Sequence, residues 1–173
     1  LTVGDRADVA FYPQINEYRG SRTVQLHLVD LRPAYSPQQL SEQALYRKYR
    51  RGERLSPCEA RTMIPHREEF AALWRYLANR QGEVVEVPVR LARKVAHEAD
   101  LWESTLHTMI CLEVLESFDL VTIRPEEGGA LRIRLRKRRG TGKVSLYQAP
   151  MIKKLQAIAW GEERDWKQSN MGS

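Results

Sequence analysis

Residues 16–32 constrain most strongly what this chain can fold into. Polar and apolar side chains alternate there, the polar set being Thr23, Gln25 and His27 and the apolar set Val24, Leu26 and Leu28. A period of two predicts a β-strand with one buried face. The residues that predict a turn before it are Asn16, Glu17, Tyr18 and Gly20. Residues 8–12 predict an earlier strand, which residues 13–20 would connect to the strand 23–30.

The same residues resemble one protein family. In them Gly20 lies two residues beyond the aromatic Tyr18, and Gln25 and Leu26 lead to Asp30. This order resembles the final hairpin of the oligonucleotide-binding domain of RecJ, the bacterial exonuclease family specific for single-stranded DNA. Three later segments are similar to the C-terminal extension of Gram-positive-type RecJ proteins, namely residues 67–77, 109–121 and 143–147. The turn departs from the family pattern at Tyr18 and Arg19, where the family has Trp and Asn, so no specific contact of Arg19 is carried over.

The resemblance implies an α+β chain that forms the non-catalytic C-terminal region of a RecJ-like 5′–3′ exonuclease in DNA repair and recombination. Residues 1–33 would be the terminal strands of an oligonucleotide-binding domain, residues 34–64 a helical linker, and residues 65–173 a winged-helix-like domain with C-terminal helices. The implied partners are single-stranded DNA and a repair or single-strand-binding protein. Leu1 in place of an initiator Met fits a chain cut from a longer protein.

The catalytic residues of the family cannot be placed on this chain. Its Asp-His-His signature does not occur, and no two of the four histidines are adjacent. We therefore predict no catalytic residue, metal ligand or cofactor here. The divalent metal (Mg or Mn) that the resemblance implies would belong to the missing catalytic part, since phosphoester hydrolysis of this kind uses clustered acids around metal ions.

Capping signals predict the helices and strands of the rest of the chain. The predicted helices are 36–51, a short one from Ser56, one from Pro65 to Gly82, 89–97 and 100–118, the last opening on a capping box of Asp100 and Glu103. The predicted strands are 83–87, 120–123 and 130–136, and a terminal helix or two follows from Ala149. This order is that of a winged helix, with residues 100–118 in the recognition-helix position and the hairpin as the wing.

Positive charge is concentrated in two short segments. The whole chain carries +6, whereas residues 47–54 carry +4 and residues 132–143 carry +7 without an acid among them. Clustered charge of one sign is typical of polyanion binding. The DNA-binding candidates are Arg132, Arg134, Arg136, Lys137, Arg138, Arg139 and Lys143, together with Tyr18, Arg19 and Arg22 around the hairpin turn. The alternatives are a strand edge kept charged against aggregation for the first set, and aromatic side chains packed on a barrel for the second.

Other features narrow the class of protein. The two cysteines, Cys58 and Cys111, have no metal-binding spacing, and no secretory leader or bilayer-length apolar run is visible, so a cytoplasmic protein without a membrane partner is predicted.

Two other functions stay open. One is a winged-helix regulator that reads duplex DNA through residues 100–118, against which Glu103, Glu113 and Glu116 count because acids repel phosphates. The other is a pure protein-docking module whose basic wing meets an acidic partner.

Overall fold

The fold is mixed α and β, as the sequence predicts. In this computed structural model residues 7–136 and 145–170 are described, with the backbone alone for Pro33 and residues 162–170. The described part contains six helices and two small antiparallel sheets. The chain divides into two compact units, residues 1–40 and 41–173.

The first unit is a long two-stranded ribbon. Strand β1 (Ala7–Tyr18) pairs antiparallel with β2 (Ser21–Pro33), and one irregularity in register lies at Ala10 and Phe11. The two-residue turn places Arg19 and Gly20 at φ values of 50° and 76°, which is the type I′ geometry that hairpins favour. The predicted turn at Gly20 is confirmed. The predicted connection over residues 13–20 is wrong, because a two-residue turn lets β1 continue to Tyr18.

The two faces of the ribbon differ in chemistry, and the period-two prediction is correct in this respect. One face carries the apolar side chains Val9, Phe11, Pro13, Ile15, Val24, Leu26, Leu28 and Leu31, and the other carries mainly polar ones, including Tyr12, Gln14, Gln25 and His27. The prediction that the first face is buried is wrong for the described chain, since Val24, Leu26 and Leu28 are each more than 60% exposed. The pattern fixes which side chains share a face, whereas burial requires a second layer to pack on it.

The second unit combines helices with a three-stranded sheet. The helices are α1 (Pro37–Arg50, which spans the boundary between the units), α2 (Pro57–Thr62), α3 (Arg67–Ala78), α4 (Pro88–Ala99), α5 (Thr105–Ser117) and α6 (Pro150–Asn170). The strands are β3 (Glu83–Glu86), β4 (Val121–Pro125) and β5 (Leu131–Leu135), and the sheet order is β3-β5-β4. The last strand in sequence therefore lies in the middle of the sheet.

Capping boxes start the first two helices where the sequence predicts them. The amide of Gln39 donates to Ser36 Oγ (3.2 Å), and the amide of Ser36 donates to the Gln39 side chain (2.9 Å). Ser56 and Glu59 form the same reciprocal pair at α2. Each box satisfies two amides that the first helical turn leaves without partners. Contacts of both helices lie within the second unit (residues 41–173, the helical unit): Tyr46 of α1 donates to Glu113 of α5, and Arg61 of α2 donates to the Ala159 carbonyl of α6.

The start of α5 differs from the prediction. Asp100 is the left-handed residue that ends α4 (φ 52°), so it cannot open a capping box with Glu103. The N-cap of α5 is Ser104, whose Oγ accepts the amide of His107 at 3.0 Å. Aspartate, with its short polar side chain, tolerates both the left-handed end of one helix and the start of the next, and here the first role prevails.

Helix α5 lies at the centre of the core. Its buried side chains are Thr105, Leu106, Thr108, Ile110, Cys111, Leu112, Val114 and Leu115, so nearly every side of the helix is covered. Leu77 of α3, Leu91 of α4 and Ile133 of β5 belong to the same fully buried cluster. A helix covered in this way has no free face to lay in a DNA groove, which argues against duplex reading through residues 100–118.

Candidate nucleic-acid-binding surfaces

The polar face of the ribbon carries an exposed aromatic stack. Tyr12 and His27 are cross-strand partners, and their rings lie parallel, with centroids 5.2 Å apart and an interplanar angle of 9°. Tyr12 is 54% exposed. Cross-strand pairing at close Cβ distance holds the two rings together, and a flat exposed stack of this kind is a platform for a nucleobase.

The tip of the ribbon carries three of the predicted residues, with Tyr18 on the polar face, Arg19 in the turn and Arg22 on the apolar face. The Arg19 guanidinium lies 5.3 Å from the centre of the Tyr18 ring, and Arg22 pairs with Glu17 at 3.3 Å. All four side chains are exposed, so the ion pair contributes little and leaves Arg22 available to a stronger anionic partner. The polar side of the tip thus presents an aromatic ring and the Arg19 guanidinium, which suits a single strand in which bases and phosphates alternate.

The outer face of the three-stranded sheet carries the second predicted set. Arg132 and Arg134 on β5, and Arg136 just after it, share this face, while Ile133 is fully buried on the other. The predicted alternation is confirmed. The alternative of a charged sheet edge does not hold for β5, because β3 and β4 flank it on both sides.

Carboxylates already pair with all three of these arginines. Arg132 contacts Glu83 (2.6 Å) and Glu126 (2.5 Å), and Arg134 contacts Glu83 at 2.8 Å. Arg136 pairs with Asp119. The hydrogen bonds from Arg134 and then Arg132 lower the pKa of Glu83, so this carboxylate stays ionised at neutral pH. Three acids therefore offset the three arginines that the sequence alone shows as unopposed.

One further arginine on this sheet was missed by the sequence reasoning. Arg124 on β4 lies directly opposite Arg132 and is exposed, and it makes no hydrogen bond or ion pair within the described residues. The signal was present, since a two-residue alternation in β4 places Thr122 and Arg124 on one face. The remaining candidates, Lys137, Arg138, Arg139 and Lys143, lie outside the described residues.

An apolar groove opens beside the sheet face. It has a volume of about 440 Å³ and is lined by Arg67, Phe70, Ala71, Trp74, Leu115, Leu120, Arg136 and Leu146. Phe70 is buried, whereas Trp74 is 37% exposed. The groove itself could not be predicted, because its walls come from segments that lie far apart in the chain.

One half-buried histidine of the second unit has a structural role. Both ring nitrogens of His107 lie 2.7 Å from an oxygen, Nδ1 from Glu69 Oε1 and Nε2 from the Thr62 carbonyl. One turn further along α5, Cys111 is buried, and burial raises the pKa of its thiol well above the usual value. A neutral buried thiol and a fully bonded imidazole offer no nucleophile and no base. Among the described residues, no group of three or more His, Cys, Asp or Glu side chains could hold a metal ion.

Comparison with known proteins adds no relative. No family model matches the chain, and no curated protein and no solved structure matches it at a significant level. The resemblance to RecJ therefore stays a prediction from the residues quoted above. Among the described helices, none has both the length and the apolar character needed to cross a bilayer.

Proposed function

We propose that this chain is a non-catalytic region of a RecJ-like single-stranded-DNA exonuclease and contributes the binding of single-stranded DNA. The ribbon would be part of an oligonucleotide-binding domain, and the second unit a winged-helix-like domain. Cleavage, with its divalent metal, would be performed by residues outside this chain. The order of helices and strands from α3 to β5, with β5 in the middle of the sheet, supports the winged-helix-like part of the proposal.

The observation that carries the proposal is the two-faced ribbon. Its apolar face is exposed, although an isolated pair of strands is at best marginally stable in water and a contiguous apolar patch marks a contact surface. Further strands of a barrel would cover that face. The opposite face would then be left open with the Tyr12–His27 stack, Tyr18 and Arg19, and barrels of the oligonucleotide-binding type bind single strands on such a face.

Direct binding of the full 173-residue chain to oligonucleotides tests the proposal. We expect fluorescence anisotropy to show tighter binding to a labelled single-stranded oligothymidylate than to a duplex of equal length. We also expect the affinity for the single strand to fall steeply as salt rises, because bound arginines release counterions from the phosphates. Absence of binding to single strands, or a preference for the duplex, would overturn the proposal.

Substitution at the tip of the ribbon localises the binding. Changing Tyr18, Arg19 and Arg22 together to Ala removes one ring and two positive charges, and we expect a loss of affinity of about 10-fold or more, since a stacked base alone contributes roughly 1–3 kcal/mol. The matched control is Lys153→Ala with Lys154→Ala, which removes two exposed positive charges from α6. Equal losses in the two variants would mean that net charge alone drives binding and would contradict a role for the tip.

The pairing of the sheet arginines with carboxylates favours a second candidate, a protein-docking module. Glu83→Gln separates the two functions, because it releases Arg132 and Arg134 from their shared acid. If the sheet face binds phosphates, affinity for single strands should rise several-fold, whereas Glu127→Gln, which removes an exposed charge that bonds to neither arginine, should change it little. No change in the Glu83 variant would remove the sheet face from DNA binding and leave that role to the ribbon.

A further inference from the structure

We propose that the groove beside α3 binds a nucleobase of single-stranded nucleic acid, with Arg67 and Arg136 contacting the flanking phosphates. This inference rests on the proposed function and extends it to a second binding position in the helical unit. The features that carry it are the apolar floor and aromatic wall of the groove, the charge at its rim, and its continuity with the arginine face of the sheet.

The size and lining of the groove suit a planar, weakly polar group. Its volume of about 440 Å³ exceeds that of one base and leaves room for the attached sugar. Phe70, Leu115 and Leu120 are buried and form apolar walls, while Trp74 remains 37% exposed. Small-ligand sites are typically mostly apolar with a few polar groups at defined positions, and the partly open Trp74 is the side chain on which a base can stack.

The charge at the rim is positive. Arg67 is exposed at the first position of α3, and within the described residues it makes no hydrogen bond or ion pair. Arg136 is the second arginine that lines the groove, and it is also exposed. A neutral apolar ligand would gain nothing from these guanidiniums, whereas a phosphate fits their planar donors. The rim therefore selects an occupant that combines an apolar plane with anionic groups.

Arg136 connects the groove to the sheet face. It lines the groove and also continues the series of Arg132 and Arg134 on the outer side of β5. Its ion pair with Asp119 is exposed on both sides, so a phosphate can compete with this carboxylate for the guanidinium. A single strand whose phosphates contact Arg132, Arg134 and Arg136 would thus pass beside the groove, and one of its bases could enter the groove.

The test compares an oligothymidylate with an oligomer of equal length and charge in which several bases are replaced by abasic sites. For the wild-type full-length chain we expect the abasic oligomer to bind more weakly by at least roughly 5-fold, the lower bound for the loss of one stacked base. Trp74→Ala should weaken binding of the oligothymidylate and bring the two affinities closer together. Trp102→Ala is the matched control, because Trp102 is 79% exposed and lies outside the groove.

A second variant guards against a folding defect in Trp74→Ala. Ala71 is exposed and lines the groove, so Ala71→Gln fills the groove without removing a core side chain. We expect this variant to keep the wild-type urea midpoint and to show the same reduced discrimination between the two oligomers as Trp74→Ala. If both groove variants bind both oligomers as the wild type does, a protein segment is the better occupant and the inference fails while the proposed function stands. If the wild type binds no single strand, both fail.

Discussion

Polar and apolar residues alternate in both the ribbon and β5, but the apolar side chains are exposed in the ribbon and buried in β5. Val24, Leu26 and Leu28 alternate with polar residues in β2, as Ile133 alternates with arginines in β5. Ile133 is fully buried against the helical core, whereas Leu26 is 62% exposed. The difference teaches that alternation assigns side chains to faces, while burial depends on a second layer that the pattern itself does not supply.

The largest expected effect comes from truncating one apolar side chain in each region. Ile133→Ala leaves a cavity in a packed core, and we expect it to lower the free energy of unfolding by about 2–5 kcal/mol. Leu26→Ala removes a side chain that is mostly in water, and we expect a change below about 0.5 kcal/mol. Urea denaturation followed by circular dichroism measures both. A cost for Leu26→Ala as large as that of Ile133→Ala would show that the apolar face of the ribbon is covered in solution.

A smaller effect on the free energy of unfolding should depend on pH and arise from His107 and Glu69 in the helical unit. Glu69 and the Thr62 carbonyl both accept hydrogen bonds, so His107 bonds to both only as an imidazolium. Burial lowers the pKa of His107, but the hydrogen bond and charge of Glu69 outweigh this and raise it. Burial likewise raises the pKa of Glu69, and the hydrogen bonds from His107 and the His66 amide outweigh this and lower it.

The sign of the pH dependence follows from these two directions. A raised histidine pKa gives stability that is complete below the unfolded value of about 6.5 and is lost as pH rises through the folded value. A lowered carboxyl pKa gives stability that is lost only as pH falls through the folded value, below about 4.5. We therefore expect the pair to contribute most at about pH 5–6.5.

His107→Gln tests this dependence. Gln retains one donor and no charge, so the wild type should exceed the variant in unfolding free energy by about 1.5–3 kcal/mol at pH 5.5, the range for a charge-assisted hydrogen bond, and by less at pH 8.5. Urea midpoints at the two pH values measure the difference. The exposed His27 of the ribbon serves as control, since His27→Gln makes the same substitution outside the helical core and away from Glu69. A constant gap between wild type and the His107 variant would contradict the imidazolium assignment.

The sequence predicts a helix start correctly where hydrogen bonds between residues close in the chain determine it. The starts of α1 and α2 were predictable because Ser36 and Ser56 bond within three residues of themselves. The start of α5 was not, because Asp100 suits a left-handed helix end as well as an N-cap.

The candidate sites show the same limit. The outward direction of the β5 arginines followed from alternation. Their neutralisation by Glu83 did not, because that acid lies 49 residues before Arg132 and only the sheet order brings it near. The same holds for the groove, whose lining residues span positions 67 to 146. Local signals therefore predict elements and faces, while charge balance and cavities require the tertiary fold.

The smallest expected effect concerns the turn of the ribbon. Arg19 adopts a left-handed conformation (φ 50°), which costs a residue of this type roughly 1 kcal/mol, whereas Asn-Gly is the pair that a type I′ turn prefers. Arg19→Asn should slow amide hydrogen exchange across β1 and β2 by a few-fold while lowering affinity for an oligothymidylate. Arg22→Asn, in the strand beyond the turn, should lower affinity without slowing exchange. The prediction rests on the expectation that a strained residue, which a better turn residue could replace, persists where its side chain serves a function. If Arg19→Asn slowed exchange and left affinity unchanged, Arg19 would have no part in binding.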